Sequence, residues 1–343
     1  MGLGISFRKV CCGIVVSLAV VQLAAQTTIQ RPPLVATLDN AVPLYDIAFS
    51  PDGALLAAGG FDGGLVIWST RTLQSLLSIQ AHTGMTTSVS FHPHERLIAS
   101  SGQDGTVRLW NVDTGALRSG VRAHAGAAAT DLAFTPDGRE IVSGGLDANI
   151  AVWNHQKGED GVKRRPHIEA EEELQGFALT VGPVGVATVD FSPDGTLMAV
   201  GGDSGRVQLL KYPSLDPVRY LLGHTKSLNR AAFSPDGTRL VTASLDNSAR
   251  IWDVASGREL HVLRGYTGFV LCAAFSPDGK WVAVGSRDHH VDVWDAETGR
   301  RVMTLPEHPG GVYAVAFSPT VLWLATGGYD GIIRIWDVGA LRR

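Results

Sequence analysis

"AAFSPDGTRLVTASLDNSARIWDV", Ala231–Val254, holds three apolar runs divided by two turns. The first run ends on Phe233 and meets Ser-Pro-Asp-Gly. Pro235 presets φ for the first turn position, and Asp236–Gly237 suits a tight turn that needs a left-handed residue. The second run, RLVTAS, stops at a turn on Asp246, and the third ends on Trp252. After one more turn, RELHVL (Arg258–Leu263) makes a fourth run. Four short strands joined by tight turns form one blade of a β-propeller if the unit recurs at a fixed period.

It does recur. Tryptophans at 68, 110, 153, 252, 294 and 336 stand 42, 43, 99, 42 and 42 residues apart. The long step hides a degenerate copy, in which GGDSGRVQLLKY (Gly201–Tyr212) aligns with SGQDGTVRLWNV (Ser101–Val112) and puts Leu210 where Trp would be. Strands ending in Phe open seven units, from YDIAFSPDG at Tyr45 to YAVAFSPTV at Tyr313. The fold class is therefore all-β, a single seven-bladed propeller. Both faces of a blade pack on neighbours, which explains near-continuous apolar runs in place of clean alternation.

Composition agrees. The chain has 343 residues, 45% of them hydrophobic, enough for a sizeable core. A formal charge of −4 gives no electrostatic case for nucleic acid, which selects a basic face. Cys11 and Cys12 lie at the extreme N-terminus and Cys272 alone in the body, so the body has no pair for an intrachain disulfide.

Residues 1–25 read as a separate object. Arg8 and Lys9 precede an uncharged run, Val10–Ala25, the layout of a signal peptide. Cleavage after Ala25 leaves Gln26 first, although Leu23 sits where a small residue is preferred. Two alternatives stand beside it. One is an uncleaved anchor, though 16 residues is short for a bilayer span. The other is lipidation of Gly2 in MGLGIS and of Cys11–Cys12. The expected organisation is an export segment over 1–25, a short linker over 26–33 and a propeller over 34–343, with a charged insertion at about 154–174.

A wider set of residues carries a family resemblance. A His precedes the strand Phe by nine or ten residues at His82, His124, His224 and His308, and a Ser or Thr lies four before the turn Asp. The Trp comes six after that Asp. From about Leu34 onward the chain resembles the WD-repeat family. The resemblance implies a buried hydrogen-bonded tetrad in each blade. Four blades match in full: His82, Ser100, Asp104, Trp110; His124, Ser143, Asp147, Trp153; His224, Thr242, Asp246, Trp252; and His308, Thr326, Asp330, Trp336. A linked network of this kind satisfies a buried indole N–H and imidazole together.

Three units depart from it. The first has Asn40 and Ala58 with Asp62 and Trp68; the sixth has Tyr266 and Val284 with Asp288 and Trp294. The fourth has Gly182, Val200, Ser204 and Leu210, none of the four, and is expected to rely on apolar packing. The charged stretch after Trp153, NHQKGEDGVKRRPHIEAEEELQG, reads as an extended solvated connection between the third and fourth strands of the third blade.

Catalytic and metal motifs are decoys here. GDSGR (Gly202–Arg206) resembles the nucleophile region of trypsin-like proteases, but it falls on a blade turn and the histidines belong to the repeat. RDHH (Arg287–His290) lacks the third and fourth ligands a metal needs. No catalytic residue, cofactor or metal is expected. The competing reading is a propeller hydrolase or lyase with its site in the central channel, where Asp46, Asp131 and Asp190 are the available acids.

Surface remains. In WD-repeat propellers the narrower face, which holds the His and Asp turns, commonly binds partners. Three positions per unit are expected there, and their aromatics gather on three blades adjacent around a closed ring: Tyr45 and Phe61, Phe269 with Arg287, and Tyr313 and Tyr329. Aromatic and Arg side chains are the usual interface anchors. These six form a candidate partner-binding arc, against the plainer reading that they line the channel. The expected function is a non-enzymatic scaffold for a protein or peptide partner, monomeric, secreted or periplasmic, and touching a membrane only through an uncleaved N-terminal segment.

The ends complete the reading. GIIRIWDVGALRR (Gly331–Arg343) has a third strand and no outer one, whereas Leu34–Leu38 aligns with an outer strand and has no inner three. Joined, they make the last blade and leave no open sheet edge.

Overall fold

The computed structural model describes residues 32–157, 162–166, 185–306 and 308–342. Its strands, numbered in chain order from β1 (Leu34–Asp39) to β28 (Ile332–Asp337), form seven four-stranded antiparallel sheets. The expected export segment and Gly182 lie outside the described residues.

The innermost strand of each blade runs beside the axis. These strands are β2 (Leu44–Phe49), β6 (Thr86–Phe91), β10 (Ala129–Phe134), β14 (Val186–Phe191), β18 (Leu228–Phe233), β22 (Val270–Phe275) and β26 (Val312–Phe317). Each contacts the next, and β26 returns to β2. The core sits between blades rather than within one. Seven clusters of buried side chains each span two neighbours, as where Val241 and Ile251 of the fifth blade meet Phe275 and Trp294 of the sixth. A second strand such as β3 (Leu55–Gly60) is buried along its whole length, so its sequence shows no polar alternation.

The Ser-Pro-Asp-Gly turn is a small hydrogen-bonded unit. Ser234 Oγ donates to Asp236 Oδ1 at 2.6 Å, and that oxygen also accepts from Thr238 N at 3.0 Å. Gly237 takes φ +70°, and a Cβ there would stand 3.3 Å from Pro193 of the preceding blade. The seventh unit has Thr320–Val321 instead of Asp-Gly. There the buried Ser318 Oγ has no hydrogen-bond partner.

The ring closes through its two ends. β1 pairs antiparallel with β28, placing Leu34 opposite Trp336 and Leu38 opposite Ile333. Flanking bonds extend the ladder, from Asp337 N to Pro33 O and from Asn40 N to Gly331 O, both 2.9 Å. The last blade thus runs β1-β28-β27-β26, with β27 at Trp323–Gly328.

One expectation is corrected. The fourth strand of the third blade lies inside the charged stretch, as β13 (Val162–Pro166), paired with β12 (Asn149–Asn154). The third-to-fourth connection is therefore short, and the added length falls after β13, at 167–184, outside the described residues. Outer strands are the least buried in this fold, so "VKRRP" can serve where an apolar run was sought.

Candidate interaction face

The buried networks fix the turns that build this face. In the second blade His82 sits between Asp104 Oδ1, 3.0 Å from Nδ1, and Ser100 Oγ, 2.7 Å from Nε2, while the Trp110 indole N–H donates to the same hydroxyl at 2.9 Å. The fifth blade repeats this with His224, Asp246, Thr242 and Trp252. In the third, His124 contacts Asp147 and Ser143, each at 2.9 Å, and Trp153 is buried beside them. Burial opposes charge on Asp104, but hydrogen bonds from Thr106, Thr83 N and His82 outweigh it and bring the carboxyl down to about 2. A carboxylate only accepts, so Nδ1 of these three histidines carries the proton.

The seventh blade uses the other tautomer. His308 Nε2 lies 2.9 Å from Thr326 Oγ1, which also accepts from the Trp336 indole at 2.9 Å. His308 Nδ1, however, faces Arg334 at 3.0 Å, and Arg334 in turn donates to Asp330 at 2.6 Å. The expected direct His308–Asp330 link is thus replaced by one through Arg334. A guanidinium only donates, so Nδ1 is the acceptor here and Nε2 carries the proton.

The departing units find other solutions. In the sixth, the Trp294 indole N–H donates to the Tyr266 hydroxyl at 2.9 Å, and Asp288 accepts from Thr267 N and Gly268 N. In the first, Asn40 Nδ2 donates to Val42 O at 3.3 Å, and its Oδ1 is buried without a partner. In the fourth, Leu210, Val200 and Met198 pack with Phe191 and Ile150. Ser204 of the protease-like motif accepts from Arg206 N at 3.1 Å, within its turn. His290 contacts Asp288, and among the described residues no three His, Cys, Asp or Glu side chains are placed to hold a metal ion.

Above these turns the six arc residues fall into two adjoining groups. Phe61 is the hub of the first: its ring centroid is 5.7 Å from Tyr45, 5.5 Å from Tyr313 and 6.2 Å from Tyr329. Tyr329 is 59% exposed. In the second, the Arg287 guanidinium lies 5.7 Å from the Phe269 ring, and Lys226 covers that ring at 5.8 Å. Arg287 also packs against Gly311, one residue from β26, which joins the groups. A central cavity of about 340 Å³ opens beside them. Tyr45 and Tyr313 line it, whereas Phe61, Tyr329, Phe269 and Arg287 do not, so the arc is part channel wall and part rim.

The channel acids are tied into the wall. Asp46 accepts from Val89 N at 3.0 Å, Asp131 from Val189 N at 3.0 Å, and Asp190 from Phe233 N at 2.7 Å, each bond joining one inner strand to the next. Burial raises Asp190 to about 6. Sequence reasoning overlooked Arg230, which reaches Asp131 at 3.2 Å across the channel. Its signal was positional, since Arg230 stands three before Phe233 as Asp46 and Asp131 stand three before theirs.

Fold and face together define a class: a seven-bladed β-propeller, four blades locked by a buried His with Ser or Thr, and sealed by its own N-terminal strand. The profile of the WD domain, G-beta repeat, matches residues 33–69, 73–111, 116–154, 178–209, 215–253, 257–295 and 299–337. The chain belongs to the WD-repeat (WD40) family. A search of curated proteins gives no significant match.

Proposed function

We propose that this propeller is a non-enzymatic scaffold, exported or held at the cell envelope, that captures a protein partner on the arc of Tyr45, Phe61, Phe269, Arg287, Tyr313 and Tyr329. WD40 propellers generally mediate protein interactions. The observation that carries the proposal is the ring cluster around Phe61, with Tyr329 left 59% exposed at its edge. Large rings lose little conformational entropy on docking and are among the residues that carry most of the binding energy at interfaces. The channel acids support the non-enzymatic side, because Asp46 and Asp131 are already committed to backbone N–H groups of the wall.

Affinity capture tests the arc. Wild-type protein is expected to retain a partner that Phe61→Ala and Tyr329→Ala release; equal capture by all three would remove the arc. The location rests on the basic pair and uncharged run of residues 8–25. Intact-mass analysis of the mature chain is expected to find Gln26 first, and a retained N-terminus would favour the anchor.

A further inference from the structure

On the face opposite the arc, the second blade breaks the Ser-Pro-Asp-Gly pattern and carries His-Pro-His-Glu, His92–Glu95. In the fifth blade a carboxylate holds this turn, Asp236 accepting from Ser234 Oγ and Thr238 N. In the second blade the His92 ring does that work. Its Nδ1 lies 3.0 Å from His94 N and 2.8 Å from Glu95 N, and its Nε2 lies 3.0 Å from Gly138 O of the third blade. A backbone N–H only donates, so Nδ1 accepts and Nε2 carries the proton. Two more imidazoles reach the same turn of the third blade. His94 Nε2 is 3.1 Å from Pro136 O, and His155 Nε2 shares Gly138 O at 3.0 Å. The buried His92 ring has its centroid 5.0 Å from Phe134, 6.2 Å from His94 and 5.8 Å from His155.

We propose that the His92 turn is an acid-sensitive clasp between the second and third blades, released by one proton taken from solvent onto Nδ1. A protonated Nδ1 faces two backbone N–H donors and has nothing left to accept with. The bond to Gly138 O goes with it, because one ring both holds the turn and reaches the carbonyl. Asp236 shows what the change of residue does. Its carboxyl sits at about 2, so mild acid leaves a Ser-Pro-Asp-Gly turn intact, whereas an imidazole titrates nearer neutrality. Burial is the largest influence on His92 and lowers it from the ordinary 6.5; Glu95 and the Gly138 carbonyl pull it up, and His155 and His94 push it down. The folded value is below the unfolded one, so the clasp is whole above pH 6.5 and is lost as the pH falls through the folded value. The surrounding carboxylates have other partners. Asp52 of the first blade lies 3.9 Å from Arg96, which pairs with Asp113 at 2.6 Å. Asp137 accepts from Thr135 Oγ1 and Arg139 N, and Glu140 from the Tyr212 hydroxyl.

Amide hydrogen exchange by NMR on the full chain, at about pH 7.5 and about pH 4.5 and corrected for the intrinsic rate, tests this. The lower value stays above the about 4 of His308 in the seventh blade. The His94 and Glu95 amides are expected to lose protection by at least about fivefold, since each pH unit below the folded value is worth about tenfold. Amides of β7 (Leu97–Gly102), in the same blade, should keep theirs. The triple variant His92→Ser, His94→Asp, Glu95→Gly restores the Ser-Pro-Asp-Gly turn and is expected to abolish the difference. Imidazole nitrogen shifts of wild-type protein should show His92 as the Nε2–H tautomer at neutral pH. Unchanged protection in wild type, an equal loss in the triple variant, simultaneous loss across all blades, or the Nδ1–H tautomer would overturn the proposal.

Discussion

The Trp294 indole donates its N–H to the hydroxyl of Tyr266 at 2.9 Å, where other blades offer it a Ser or Thr. Val284 fills the Ser/Thr position and has nothing to accept with. The tyrosine therefore replaces two side chains at once: its ring fills the space of the imidazole, and its oxygen takes the place of the missing hydroxyl. Asp292 completes the substitute network, accepting from Thr304 Oγ1 at 2.6 Å and from Arg301 at 3.2 Å.

Tyr266→Phe keeps the ring and removes the acceptor, leaving a buried indole N–H unpaired. The expected loss is about 1–3 kcal/mol, the cost of stranding one buried donor. Urea unfolding checks it, and a midpoint equal to wild type would mean that Trp294 finds another acceptor.

Acid should weaken the networks in a defined window. Burial, then the Arg334 cation, hold His308 at about 4. Burial also lowers His82 and His224, although Asp104 and Asp246 pull the other way. Each folded value lies below the ordinary 6.5, so the unfolded chain takes up protons first. The histidine contribution is full above pH 6.5 and declines as the pH falls toward about 4. Asp190 has the opposite sign: raised to about 6, it contributes most below pH 3.8 and loses that contribution as the pH rises through about 6. Asp190→Asn should therefore steepen the acid loss. Urea midpoints at neutral and mildly acid pH would show it; a variant as stable in acid as at neutrality would contradict the histidine argument.

The fourth blade should open before the others. Leu210 and Val200 pack well but form no side-chain hydrogen bond that ties strand to turn, whereas His82 in the second blade spans both. Local opening free energy follows such ties. Hydrogen exchange is expected to be fastest, among blade-core amides, in β14 and in β15 (Leu197–Gly202). Protection equal to that of the second blade would end this idea.

What the sequence disclosed was what repeats. Seven Phe-ended strands and the Trp spacing yield blade number and ring closure, because each blade must offer its neighbour the same apolar surface. What it concealed was exchange of roles at single positions. The register puts Tyr266 at the His position of the sixth unit, but only geometry shows its hydroxyl accepting from Trp294. Arg334 has no place in the repeat pattern, yet it stands between His308 and Asp330. β13 was hidden because an outer strand needs backbone pairing more than apolar side chains. The arc residues were legible by position, but their division into channel wall and rim depends on cavity shape, which no spacing encodes.

Ring closure makes the sharpest demand on stability. β1 and Pro33 supply backbone bonds along the outer edge of β28, and Leu38, 4% exposed, packs with Leu44, Ile333 and Ile335 where the first and last blades meet. Leu38→Ala removes apolar contact and leaves a cavity, an expected loss of about 2–5 kcal/mol. Deleting residues 26–38 should cost more, because it also bares the β28 edge, and an unpaired strand edge invites association with another chain. The two variants therefore differ in kind. Leu38→Ala is expected to lower the unfolding midpoint and leave the particle size unchanged, whereas the deletion should lower it further and give larger species in light scattering. An unchanged midpoint in the deletion would show that the first and last blades hold together without β1, and the N-terminal strand would then be a decoration of the ring rather than its clasp.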